Sequence, residues 1–154
     1  MGQEIERKFL VTGDGWRSSE AVEYRQGYLS TVKERTVRVR LAGGRGTMTI
    51  KGVSQGATRA EYEYEIPAAD AAEMLDRLCQ RPLIEKRRTT LVAAGMTWEV
   101  DEFFGDNDGL LVAEVELRSE DQAFEHPPWV GDEVTADPRY SNANLVDHPF
   151  RDWT

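Results

Sequence analysis

The stretch Glu4-Ile5-Glu6-Arg7-Lys8 places Glu4, Glu6 and Lys8 two residues apart. In an extended strand that spacing returns each side chain to the same face. Two acids and a lysine therefore share one side of the strand, while Ile5 takes the other. The pattern recurs along the chain. Arg38 shares a face with Arg40, Glu61 with Glu63 and Glu65, Lys86 with Arg88, Glu99 with Asp101, and Glu114 with Glu116 and Arg118. A single charged face marks an ordinary half-exposed strand. Six of them within 154 residues permit another arrangement, in which the charged faces line a common water-filled lumen and the apolar faces pack outward against helices.

Working outward, period-two alternation predicts strands over Glu4–Leu10, Val37–Leu41, Thr47–Lys51, Glu61–Ile66, Ile84–Val92, Thr97–Phe103 and Leu110–Arg118. Gly43, Gly44 and Gly46 predict a hairpin turn, and Gly105–Gly109 another turn. Between Gly52 and Arg59 a small, polar loop of ordinary loop composition is expected, one that could be mobile and act as a lid. A helix is expected from about Asp70 to Gln80, with Asp70 and Glu73 as a capping box and Met74, Leu75 and Leu78 as its apolar stripe. Ser119 with Gln122 suggests a short helix ended by Pro127 and Pro128, and a last helix is expected near Tyr140–Asn142. The fold class is mainly β (α+β): an antiparallel sheet or barrel with peripheral helices, in one domain spanning residues 1–154.

Composition narrows the function. With 40% hydrophobic and 31% charged residues the chain is globular rather than disordered. A net charge of −9 should repel nucleic acid and anionic membranes as a whole. The N-terminus lacks the apolar core of a signal peptide, and no apolar run approaches the ~20 residues of a membrane helix, so a cytoplasmic location is expected. Cys79 is the only cysteine and reads as a small buried hydrophobe. Catalysis by a nucleophilic side chain finds no support. His126 and His148 sit beside prolines, Ser18, Ser19 and Ser30 lack a histidine context, and the P-loop spacing is absent.

Chemistry restricts what a charged lumen could hold. Burying like charges together costs about several kcal/mol per ion unless they are neutralised. Carboxylate pairs can be neutralised by a divalent cation, and oxygen-only ligands favour Mg²⁺, Mn²⁺ or Ca²⁺. Arginines can be neutralised by phosphate, whose oxygens match the planar guanidinium fork. A metal–polyphosphate receptor is one outcome; mutual pairing of acids and bases in a purely structural network is the other.

The surrounding motifs carry a resemblance. EIERKFLV near the start, RQGYL (Arg25–Leu29), VRVR (Val37–Arg40), MTIKG (Met48–Gly52), EYEYEI (Glu61–Ile66), EKRR (Glu85–Arg88), WEVDEF (Trp98–Phe103), EVEL (Glu114–Leu117) and RYSNANL (Arg139–Leu145) follow in the order of the CYTH superfamily, the triphosphate tunnel metalloenzymes. The chain resembles the short bacterial members nearly end to end. The resemblance implies an eight-stranded antiparallel β-barrel tunnel with a charged lumen. It implies Glu4, Glu6, Asp101, Glu114 and Glu116 as ligands of Mg²⁺ or Mn²⁺, with two ions bound. Lys8, Arg38, Arg40, Lys51, Lys86 and Arg88 are the implied phosphate-binding cations, and Glu4, Glu6, Lys8, Lys86 and Glu116 the implied catalytic group. Glu61, Glu63, Glu65 and Glu99 are expected as supporting lumen acids. One departure stands out: many members carry a lysine just after the tyrosine of the last motif, whereas Tyr140 is followed by Ser141 and Asn142.

The expected activity is metal-dependent hydrolysis of inorganic tripolyphosphate to pyrophosphate and phosphate, by a monomer or homodimer whose partner is a small-molecule triphosphate. The same family holds thiamine triphosphatases, nucleoside or RNA triphosphatases and adenylate cyclases. A non-catalytic polyphosphate-binding module is a further alternative. An organic triphosphate would need a surface for its ring. Trp98 adjoins Glu99 and so should face away from the lumen, packed under a helix; Trp16, Tyr28, Phe103 and Phe104 could lie near a mouth.

Overall fold

The computed structural model describes residues 2–18 and 20–153, so Ser19 lies outside the described residues. The strands are β1 (Gln3–Val11), β2 (Ala21–Ser30), β3 (Thr36–Ala42), β4 (Arg45–Lys51), β5 (Thr58–Ile66), β6 (Gln80–Ala93), β7 (Met96–Phe103), β8 (Leu111–Glu116) and β9 (Val130–Glu133). The helices are α1 (Ala68–Arg77) and α2 (Asn142–Asp147). Pairing runs β5-β4-β3-β2-β6-β7-β8-β1, and β1 returns to β5, which closes eight antiparallel strands into a barrel. β1 serves both sides of the seam. Its start, Gln3–Ile5, pairs with β5, while Glu6–Leu10 pairs with β8. β9 adds to β1 beyond β5, opposite Phe9 and Val11. Among the described residues no helix is long and apolar enough to cross a membrane.

The seven expected strands are present, several of them longer than the alternation suggests. β2 presents an uncharged inner face and β9 is only four residues long, so charge alternation marks neither as a strand. The β3–β4 hairpin turns on Gly43 and Gly44, both at positive φ (56° and 77°), which suits a two-residue turn between twisted strands. Gly46, expected in that turn, lies within β4. The segment from Gly52 to Arg59 is less open than a plain loop: Gln55 bridges Thr58, β5 begins at Thr58, and the Ala57 N–H donates to Glu120 Oε1 at 2.9 Å.

Two helical expectations need correction. α1 starts at Ala68, after Pro67, with no side-chain cap; Asp70 lies within its first turn and forms no capping box. Its buried face is Ala71 and Leu75, whereas Leu78 stands 66% exposed, because the chain turns there to enter β6. After β8, Ser119–Gln122 forms a turn rather than a helix. The Gln122 side chain accepts the Arg118 N–H and the Ser119 hydroxyl donates to Asp121, so local side-chain bonds satisfy the backbone without helical pairing.

The apolar core lies mainly outside the barrel wall. Phe9, Trp98, Val100, Ala113 and Val115 face outward from β1, β7 and β8 and pack on Trp16 and Trp129. Trp98 is fully buried and does face away from the lumen, though connecting segments cover it rather than a helix. A second cluster packs Val39 and Cys79 beneath Ala71 and Leu75 of α1. On β5 the outward Tyr62 and Tyr64 are uncovered, so the outer apolar face is only partly roofed by helices.

A third cluster explains how the lumen ends. Ile84 precedes Lys86 and Arg88 on one face of β6, Phe103 follows Glu99 and Asp101 on β7, and Val112 precedes Glu114 and Glu116 on β8. Register places Lys86 opposite Phe103, and Asp101 opposite Val112. The inner faces thus change from charged to apolar at the same level. There Ile84, Phe103 and Val112 meet Leu145 and Val146 of α2, which plug that end of the barrel.

Candidate active site

The charged faces converge on one cavity of about 200 Å³. Its carboxylates are Glu4 and Glu6 from β1, Glu61 and Glu63 from β5, Glu99 from β7, and Glu114 and Glu116 from β8. Its cations are Lys8, Arg38, Arg40, Lys51, Arg59 and Arg88. Tyr28, Thr36 and the segment Ser141–Ala143 complete the wall.

Much of this charge is paired internally. Glu4 accepts from Lys51 Nζ at 2.8 Å and from Arg59 Nε at 2.9 Å. Although burial opposes it, the Lys51 charge and these hydrogen bonds hold the Glu4 carboxyl at about 2. Lys51 also reaches Glu61 at 3.4 Å, and Arg38 reaches Glu63 at 3.7 Å while donating to Thr49. Arg88 donates to Glu99 at 3.2 Å and makes a two-pronged contact with Asp101, at 2.8 and 2.9 Å. Lys86 Nζ donates to the same Asp101 at 2.6 Å.

The remainder is unpaired. Among the described residues, Glu6, Glu114 and Glu116 have no cation in ion-pair contact, and Arg40 has no carboxylate. Arg40 donates instead to Gln26 Oε1 at 2.6 Å. Among the described residues, Lys8 Nζ reaches only the Tyr140 carbonyl, at 3.5 Å. Glu6 stands opposite Glu116 across β1 and β8, and Glu114 faces Lys8 on one side and Glu99 on the other. Burial and then Glu114 push the Glu6 carboxyl up to about 8, with Glu4 adding to the rise and Lys8 opposing it. Burial acts on Glu114 as well, but Lys8 and Arg88 outweigh it and keep that carboxyl below its ordinary range. Burial, then Arg38 and Arg88, lower the Arg40 guanidinium to about 10, so it stays charged at neutral pH.

Three expected site residues do not line the cavity. Asp101 is 1% exposed and both its oxygens are engaged by Lys86 and Arg88, which hold it far below the ordinary carboxylate range despite burial. Geometrically it anchors two cations rather than offering a free ligand. Lys86 is equally buried, at the boundary between the charged and apolar layers, and burial lowers its ammonium to about 7 against the attraction of Asp101. Glu65 falls outside the cavity lining, exposed and paired with Arg45 at 3.3 Å.

Several lining residues are not among the expected site residues. Arg59 is two residues before Glu61 and so shares its face; extending that alternation one step would find it. Tyr28 and its same-face neighbours Tyr24 and Gln26 carry no formal charge, so charge does not mark the inner face of β2. Ser141 and Asn142 occupy the wall where a lysine after Tyr140 is missing, with Ser141 capping α2 through the Asn144 N–H.

A divalent ion fits this donor set in one specific way. The free acids are oxygen-only, and the Glu6 carboxyl, raised by burial and then by Glu114, is one whose charged form a cation would favour. Among the described residues no group of three acids forms a ready-made cage. Mg²⁺-type ions characteristically take one or two carboxylates and fill their shell with water and phosphate oxygens, which suits this arrangement.

The profile of the CYTH domain matches residues 2–149. The chain belongs to the CYTH family. This membership implies dependence on a divalent metal. The CYTH chain is 51% identical over 154 residues to an inorganic triphosphatase of Acetivibrio thermocellus, covering 99% of both chains. It is 42% identical over 147 residues to an inorganic triphosphatase of Nitrosomonas europaea, covering 93% of this chain and 96% of the relative. Among solved structures, the inorganic triphosphatase NE1496 superposes with a TM-score of 0.67 at 39% identity, covering 93% and 97% of the two chains.

Proposed function

We propose that this CYTH chain, acting as one domain across residues 1–154, hydrolyses inorganic tripolyphosphate to pyrophosphate and phosphate. The observation that carries this reading is the coexistence, in one cavity and among the described residues, of acids with no cation in ion-pair contact (Glu6, Glu114, Glu116) and cations with no acid in ion-pair contact (Lys8, Arg40). A purely structural network would pair them with one another. A site that only bound a polyanion would gain nothing from unneutralised carboxylates, which repel it. The two full-length triphosphatase relatives support the same reading.

Glu6, Glu114 and Glu116 would hold Mg²⁺ or Mn²⁺, with Glu4 contributing and a second ion completed by the substrate. When bound, the metal offsets phosphate charge and lowers the pKa of a coordinated water. The remaining work falls to side chains. Arg38, Arg40, Lys51 and Arg88 grip phosphate oxygens along the cavity, with Lys8 between the acids and the anion. Arg59 joins them, since it shares Glu4 with Lys51. Asp101 fixes Arg88 and Lys86 in place, so Lys86 acts on the site through that network. Glu61, Glu63 and Glu99 orient the cations they contact.

Phosphate release from tripolyphosphate with Mg²⁺, Mn²⁺ or EDTA tests the proposal. Metal-dependent turnover is expected, reduced about a thousandfold in Glu6→Ala, since losing a metal ligand removes several kcal/mol of transition-state stabilisation. Turnover that persists in EDTA, or full activity in Glu6→Ala, would refute the assignment.

A further inference from the structure

Arg40 is an unusual cation. It is half-buried in the cavity wall, two other arginines raise its cost, and among the described residues no carboxylate contacts it. Something else must keep its guanidinium charged and aimed. Gln26 Oε1 holds Nε from one side. The other support is an aromatic ring: the Arg40 guanidinium carbon stands 4.6 Å from the ring centre of Tyr24. The same ring lies 4.9 Å from the guanidinium carbon of Arg88 and 5.9 Å from Lys86 Nζ. Three cations from two strands on either side of β2 thus gather on one side chain. Tyr24 belongs there by register, directly opposite Lys86 on β6 and two residues from Gln26 on the inner face of β2.

A π-face attracts cations through its quadrupole without cancelling their charge. A carboxylate in this position would do the opposite. It would pair with Arg40 and compete with an incoming phosphate, as Asp101 already engages Arg88 and Lys86. The ring also offsets repulsion between Arg40 and Arg88, which otherwise would drive the two guanidinium groups apart. Resting on the phosphate-binding role given above to these arginines, we propose that Tyr24 is a positioning residue of the anion site, a neutral platform that holds Arg40 and Arg88 together while leaving their charge available to phosphate. Tyr24 does not itself line the cavity, so it acts through the arginines.

The test compares Tyr24→Phe, which keeps the ring, with Tyr24→Leu, which removes it. Tripolyphosphate affinity is measured by calorimetry in EDTA, and KM and kcat are measured with Mg²⁺. Y24F should match the parent within about twofold in both. Y24L should weaken binding and raise KM by about tenfold, with kcat changed far less. In an Arg40→Ala background the Y24L effect on affinity should shrink to about twofold, because the ring then has one fewer guanidinium to hold. Should Y24L fail to fold, Tyr24→Met against Y24F supplies the same contrast. Parental affinity in the folded aliphatic variant, or a loss in Y24F as large as in Y24L, overturns the platform while leaving the triphosphatase reading intact. A parent chain that binds tripolyphosphate without hydrolysing it removes the triphosphatase reading, and the affinity contrast still decides on Tyr24. A parent that neither binds nor hydrolyses it removes both.

Discussion

Glu6 on β1 stands directly opposite Glu116 on β8, so two carboxylates occupy one cross-strand pair. Like charges in that position oppose folding. The barrel keeps them because the strands are fixed elsewhere by apolar packing, with Phe9 and Val115 in the outer core beside them. Raised from 4.5 to about 8 in the fold, the Glu6 carboxyl contributes stability that is fully present below about pH 4.5 and is lost as pH rises through about 8. Metal-free protein should therefore melt at progressively lower temperature across that window, and Glu6→Gln should flatten the decline. Millimolar Mg²⁺ at pH 8 should raise the melting temperature of the parent and not of the variant. Scanning calorimetry across pH checks both; an equal Mg²⁺ shift in Glu6→Gln would remove Glu6 from the metal site.

Glu4 has the opposite linkage. Its carboxyl, lowered from 4.5 to about 2, contributes stability above pH 4.5 that disappears as pH falls through about 2, on the order of 3 kcal/mol. Glu4→Gln should lose that stability at neutral pH and show a shallower acid limb in urea titrations. An unchanged acid limb would mean that Lys51 and Arg59 find other partners.

Asp101 holds two buried cations. Asp101→Ala leaves Lys86 and Arg88 without their counter-charge and should cost about 3–5 kcal/mol in chemical denaturation. A loss below about 1 kcal/mol would show that the cavity's water satisfies the cations unaided.

Among the described residues the cavity wall offers one aromatic side chain, Tyr28, and no platform on which a base could stack between rings. Tripolyphosphate should therefore outcompete ATP, GTP and thiamine triphosphate, with kcat/KM higher by at least about tenfold. A nucleotide preferred over tripolyphosphate in competition assays would reverse the substrate assignment.

Gly27 is required for a packing reason. A Cβ added there would lie 2.7 Å from Cys79 Cβ and 2.8 Å from Leu83 Cδ2. Gly27→Ala should destabilise the protein by about 1–3 kcal/mol through overpacking, read as an earlier urea midpoint with unchanged slope.

The strand faces are legible in the amino-acid sequence. Spacing of two puts Glu4, Glu6 and Lys8 together, and likewise Glu114 with Glu116, and the lumen is built from those faces. β2 is not legible as a wall of the site, because Tyr24, Gln26 and Tyr28 alternate without charge. Nor is the burial of Asp101 and Lys86. Both lie on the charged faces expected of lumen residues, yet their level in the barrel coincides with the apolar plug under α2.

By itself the sequence determined which side chains share a strand face, since that follows from local backbone geometry and a period of two. Only the tertiary structure decided which charges would be neutralised. Glu4 meets Lys51 and Arg59 because β1 closes on β5, while Glu6, one step along the same face, meets Glu116 because β1 there passes to β8. Ion pairing depends on separations of a few ångströms between segments distant in the chain. Barrel closure and register set those separations, and neither is encoded within any single strand.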